Sequence, residues 1–123
     1  MNDNRKALGS QAEQVAEQYL LRQGYRILER NVRLPQGELD LVALHGETLV
    51  FCEVKARQGS GALDPALSIH TRKQERLIRL ATAYLQRHPG YANHLCRFDA
   101  VLVWKSGLLW QIKIIADAFR PGW

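Results

Sequence analysis

Two short apolar runs, Leu39-Asp40-Leu41-Val42-Ala43-Leu44 and Thr48-Leu49-Val50-Phe51-Cys52-Glu53-Val54, are joined by only His45-Gly46-Glu47. Apolar runs of this length around a glycine-containing link read as a tight β-hairpin. Each run carries a carboxylate in its interior, Asp40 in one and Glu53 in the other, and Lys55 follows Glu53 by two positions. A carboxylate inside an apolar strand is costly unless it is paired, protonated or bound to a cation. Whatever fold the chain adopts must therefore bring Asp40 and Glu53 to such a partner.

Strand side chains alternate between faces. Glu53, Lys55 and, if the strand runs on, Arg57 point one way, while Cys52 and Val54 point the other. Whether Asp40 joins them depends on the turn. A two-residue turn at Gly46-Glu47 pairs His45 with Thr48 and sets Asp40 directly opposite Glu53, and glycine at the first turn position suits type II′. A three-residue loop would set Asp40 opposite Cys52, on the wrong face. A turn at His45-Gly46 keeps Asp40 on the Glu53 face, but opposite Phe51. We expect Asp40 and Glu53 to share a face, with the register open among these turns.

Two close carboxylates repel, so one holds a proton unless a cation lies between them. An all-oxygen donor set suits Mg²⁺ or Mn²⁺, and Asp40 and Glu53 are the expected metal ligands. Such an ion acidifies water and polarises a phosphoryl oxygen. Lys55 would orient the water or neutralise charge developing on the phosphate. Those parts describe phosphodiester hydrolysis. The simpler alternative is a salt bridge from Lys55 to a carboxylate at a sheet edge. For Glu53 and Lys55 alone it is the better explanation, and adding Asp40 reverses the balance.

The remaining chain supplies a frame. Ala12, Val15, Ala16, Tyr19 and Leu20 make one apolar stripe of a helix over about 11–23, with Ser10 and Glu13 in capping-box register and Gly24 as a stop. Strands are expected over 25–32, 39–44, 48–54, 97–104 and 108–115. A second helix over about 71–88 carries Leu77, Leu80, Ala81, Tyr84 and Leu85, and Pro89-Gly90 ends it. The loop 56–65 is rich in Gly, Ser and Ala, and Asp64-Pro65 would start a short helical turn. The order is α-β-β-β-α-β-β: an α/β fold with a mixed β-sheet of about five strands flanked by two main helices. Its 123 residues are expected to form one domain around one core.

The formal charge is +5, from 17 Lys and Arg against 12 Asp and Glu. That balance favours polyanionic partners such as nucleic acid. Cys52 and Cys96 form no C-x-x-C pair and read as reduced, buried thiols of a cytoplasmic protein. No window approaches the roughly 18 apolar residues of a membrane span, so no membrane association is expected.

Gly37-Glu38-Leu39-Asp40-Leu41-Val42, followed by Val50-Phe51-Cys52-Glu53-Val54-Lys55-Ala56-Arg57, resembles the G-E-[IL]-D-L-[IV] … [FV]-x-E-V-K-x-R pattern of the YraN family. That family is described as endonuclease-like, within the PD-(D/E)xK superfamily and near archaeal Holliday-junction resolvases. The resemblance extends to Ala12-Glu13 through Tyr19-Leu20, Lys73-Gln74, Arg97-Phe98-Asp99 and Ala118-Phe119. It implies a restriction-endonuclease-like core, with Asp40 and Glu53 as metal ligands and Lys55 as catalytic lysine. It also implies a Mg²⁺- or Mn²⁺-dependent endonuclease acting on DNA, branched or damaged DNA included. The other function the same fold supports is a non-catalytic nucleic-acid-binding module.

The resemblance brings in further residues. Glu13 matches a helix glutamate that approaches the metal in resolvase-like relatives; the alternative is its capping box with Ser10. Gln74 matches a helix glutamine that supports the active site in some relatives, and here a Thr71–Gln74 capping box is slightly favoured. Arg57, Arg72, Lys73 and Arg76 are candidates for holding phosphates, although each alone is more simply a solvated charge. Resolvase-like relatives cut as dimers, which makes a homodimer an expectation. Glu17 is expected in solvent, Asp99 paired with an arginine, and the tryptophans in packing rather than base stacking.

Overall fold

Gly46 settles the register of the central hairpin. It takes φ 63° while Glu47 stays at negative φ, the pattern of a type II′ turn. Strand β2 (Gly37–His45) therefore runs antiparallel to β3 (Thr48–Gln58), with His45 across from Thr48 and Leu41 across from Cys52. The even two-residue turn has prevailed over the alternatives. The computed structural model describes residues 3–58 and 70–121. The glycine-rich stretch 59–61 and Asp64-Pro65 lie outside the described residues, as does Trp123.

Around the hairpin, β1 (Tyr25–Leu34) pairs with β2, and β4 (Cys96–Ser106) and β5 (Leu109–Phe119) follow β3. The sheet order is β1-β2-β3-β4-β5, and it is open. All pairs are antiparallel except β3 and β4. A parallel pair needs a crossover, and the chain between β3 and β4 contains α2 (Thr71–Arg87) and a 3₁₀ turn at Pro89–Tyr91. Helix α1 (Asp3–Arg22) precedes β1, and Gly24 ends it at φ 90°. The architecture is the expected mixed five-stranded sheet with two helices.

The helices cover opposite faces. Ala12, Ala16 and Leu20 of α1 pack on Leu41, Ala43, Val50, Cys52, Val101 and Val103. Leu77, Leu80, Ala81 and Tyr84 of α2 pack on Leu39, Val42, Leu49, Phe51, Phe98 and Phe119. A strand buried on both faces is apolar at every position, which is why Leu49–Cys52 shows no alternation in sequence. Phe51 meets Tyr84 edge to face at 5.8 Å, and burying each such ring is worth about 2–3 kcal/mol.

Helix α1 begins earlier than its apolar stripe. Arg5, Lys6, Ala7 and Leu8 are good helix formers, and the backbone is helical from Asp3. Ser10 and Glu13 therefore lie inside the helix and cannot form a capping box at its start. The strands outrun their apolar segments by one to four residues at several ends, because ladder hydrogen bonds continue where side chains become polar. Cys52 is buried and Cys96 half-buried, and both are free thiols.

Candidate functional site

The β2–β3 ladder stops at Leu41 and Cys52. One step further, the same register sets Asp40 across from Glu53. There the pleat of β2 slips. Leu41 and Ala43 face α1, yet Leu39 packs with Val42 on the α2 side. Asp40 occupies the slip, and its Oδ2 accepts the backbone N–H of Val54 at 2.8 Å. A side-chain oxygen thus satisfies the end of a ladder that the neighbouring backbone has left.

Glu53 is 5% exposed, on a strand held between β2 and β4. Lys73 reaches it from the first turn of α2, placing Nζ 2.6 Å from Glu53 Oε2. The two charges are in direct contact, and no other group hydrogen-bonds the buried Oε2 among the described residues.

Burial pushes the Asp40 carboxyl up to about 8, and the charge and hydrogen bonding of Glu53 add to it, against the pull of the Val54 N–H. The Asp40–Glu53 pair therefore favours holding one proton near neutral pH. Glu13 is also raised, first by burial and then by the charges of Glu38 and Glu53. Lys55 is lowered, by burial first and then by the Lys73 ammonium, with Glu53 opposing. Three acids and two lysines from α1, β2, β3 and α2 share one electrostatic neighbourhood.

Several sequence expectations change here. With Ser10 inside α1, the capping explanation of Glu13 falls away, and the charges that act on it are those of Glu38 and of Glu53 in the site. The Thr71–Gln74 capping box is likewise absent. His70 is the N-cap of α2 and makes no side-chain cap, and the Gln74 N–H donates to the His70 carbonyl at 3.0 Å. Gln74 itself is half-buried beside Lys73. Lys73 stands on a carboxylate of the site. Arg57, Arg72 and Arg76 are exposed, and Arg57 donates to the Ala56 carbonyl at 2.9 Å. Glu38 pairs with Arg33 at 3.3 Å. Glu17 is not in solvent alone: both of its oxygens take Arg30 of β1.

The Lys73–Glu53 contact had no signal in sequence, because the placement of α2 on the sheet is set by packing. A second buried group is equally tertiary. Asp99 is fully buried and accepts from Tyr25 Oη at 2.7 Å, Arg97 Nε at 2.9 Å and the Asp117 N–H at 2.9 Å. Arg97 also reaches His45 Nδ1 at 2.8 Å, and His45 stacks on Tyr25. A cavity of about 620 Å³ opens nearby, between Thr48, Cys96, Arg97 and Arg120. Its arginines already pair with Asp99 and Asp117, so the half-buried Asp40 beside the buried Glu53, two acids that interact directly, is the stronger candidate site.

Chemically, Asp40 and Glu53 offer hard oxygen donors, and the buried Glu53 Oε2 already has a cation, the Lys73 ammonium, against it. Among the described residues, no group of three or more His, Cys, Asp or Glu side chains is arranged to hold a metal. Two carboxylates still fit Mg²⁺, which keeps several waters and takes one or two carboxylates plus substrate phosphates. Among the described residues, no helix is long and apolar enough to cross a membrane.

The profile of the uncharacterised protein family UPF0102 matches residues 12–103. A UPF0102 protein of Magnetococcus marinus is 48% identical over 118 residues, covering 96% of this chain and 95% of its own length. One from Moorella thermoacetica is 46% identical over 121 residues, covering 97% of this chain and 100% of its own. One from Methylobacillus flagellatus is 44% identical over 117 residues, covering 93% and 97%.

Proposed function

Because the chain belongs to the uncharacterised protein family UPF0102, we propose its function from the site itself: a metal-dependent endonuclease that hydrolyses phosphodiester bonds in DNA. The observation that carries this is that Asp40 and the buried Glu53 lie against each other just past the end of the β2–β3 ladder, close enough for Glu53 to raise the Asp40 carboxyl. A fold gains no stability from two carboxylates forced together, so such a pair is a mark of function. The GE-D and EVK-x-R strings, resembling PD-(D/E)xK nucleases, support the same reading.

Asp40 and Glu53 would hold Mg²⁺ or Mn²⁺, which when bound supplies Lewis-acid polarisation of a phosphoryl oxygen and a more acidic water. Lys55 shares the face of Glu53 and orients the attacking water. Its ammonium also offsets negative charge growing on the phosphate. The water oxygen bonds to phosphorus, one bridging P–O bond breaks, and the leaving oxygen ends protonated. The formal charge of +5 draws the nucleic acid in, and Arg57, Arg72 and Arg76 are exposed to take its phosphates.

The test is cleavage of plasmid, single-stranded and branched DNA by purified protein with Mg²⁺ or Mn²⁺. Wild type should cut and Asp40→Ala should not. Identical behaviour of the two proteins with either metal refutes catalysis. The Lys73–Glu53 contact favours one rival, a non-catalytic nucleic-acid-binding module with its acids already neutralised. That rival predicts DNA binding that survives both a chelator and Glu53→Ala.

A further inference from the structure

We propose that Lys73 is a built-in counter-ion for Glu53 that competes with the divalent cation for one carboxylate oxygen. The inference rests on the metal-site reading above and adds to it an exchange between an internal ammonium and the ion.

Lys73 Nζ is 2.6 Å from Glu53 Oε2. That oxygen is buried, and no other group hydrogen-bonds it among the described residues. An ion coordinated by that oxygen sits at about 2.0–2.1 Å for Mg²⁺. Two cations cannot share one buried oxygen at such distances without strong repulsion. Occupancy of Oε2 by the ion therefore requires Lys73 to leave.

The two partners differ in their freedom to move. Glu53 is fixed on a central strand, and its side chain is 6% exposed. Lys73 comes from another element, at the start of α2, and its side chain is 31% exposed, so its way out leads to water. A flexible four-carbon stem allows that excursion while the helix stays in place. The first turn of α2 contains no acidic residue. Within that turn, nothing competes with Glu53 for the Lys73 ammonium. The helix N-terminus, with its positive dipole, also disfavours a cation there. Lys73 is thus held in position chiefly by a carboxylate that a divalent ion would claim.

Competition and static support predict opposite changes. If Lys73 competes, removing its charge strengthens metal binding; if it supports the site, removal weakens it. The experiment is calorimetric titration of Mn²⁺ alone, without nucleic acid, into wild type, Lys73→Met and Lys73→Arg at pH 8. We expect Lys73→Met to bind Mn²⁺ about tenfold or more tightly than wild type, and Lys73→Arg to remain near wild type. A saturating Mn²⁺ concentration should also raise the melting temperature of Lys73→Met more than that of wild type. Lys73→Gln replaces Lys73→Met if the latter does not fold. Mn²⁺ binding by Lys73→Met where wild type binds none supports the inference. Binding by wild type with no gain in the variant overturns competition and leaves the metal site standing. Absence of binding by every protein overturns the metal site and this inference with it.

Discussion

Replacing Asp40 by Asn should stabilise the protein while destroying its site. Asn keeps an oxygen for the Val54 N–H, now 2.8 Å from Asp40 Oδ2, and gains an amide donor toward Glu53. The shape of the side chain is unchanged. What disappears is the cost of keeping a proton on Asp40, whose carboxyl rises from an ordinary 3.8 to about 8 on folding. Between those values the folded state holds a proton that the unfolded state has released. Stability contributed by Asp40 is therefore full below the unfolded value and falls as pH rises, by up to about 1.4 kcal/mol per pH unit, until the folded value is passed. At pH 7 the limit is about 4 kcal/mol, and we expect Asp40→Asn to gain about 2–4 kcal/mol, or roughly 8–15 °C in melting temperature. The assay is urea unfolding of both proteins from pH 5 to pH 9. The advantage of Asn should grow with pH and level off above about pH 8. A destabilised variant, or an advantage that does not depend on pH, would refute a half-buried, protonated Asp40. Gain of stability with loss of function is the pattern of a residue kept for chemistry.

Two further outcomes follow from the same geometry. If Asp40 holds Mn²⁺ as proposed, the ion must displace its proton, and affinity should fall by up to about tenfold per pH unit below pH 8; a flat calorimetric profile from pH 6 to pH 8 would contradict this. Asp99→Ala strips Arg97 and Tyr25 of a fully buried partner and should cost about 3–5 kcal/mol in urea unfolding, whereas a loss under about 1 kcal/mol would mean that water replaces the carboxylate.

The chain wrote its local structure openly. Gly46 at the first turn position and two apolar runs of matched length were enough to propose a hairpin, and strand alternation alone placed Glu53 and Lys55 on one face. The apolar stripes of α1 and α2 were visible because helix periodicity leaves the same mark wherever a helix packs. Boundaries were less visible. Helix α1 runs back to Asp3 through residues that carry no stripe, and this displaced Ser10 and Glu13 from the cap their spacing suggested.

Only the tertiary structure decided how the acids are neutralised. Residues 40, 53 and 73 lie on three elements, and the docking of α2, set by Leu77, Leu80 and Tyr84 against the sheet, brings Lys73 to Glu53. The slip of β2 at Asp40 depends on Leu39 finding the α2 face, which no local pattern records. Sequence determines which side chains a strand or helix presents, because that geometry is local and periodic. Which charges then meet is settled by the packing of one apolar face on another, a choice made by the whole core at once.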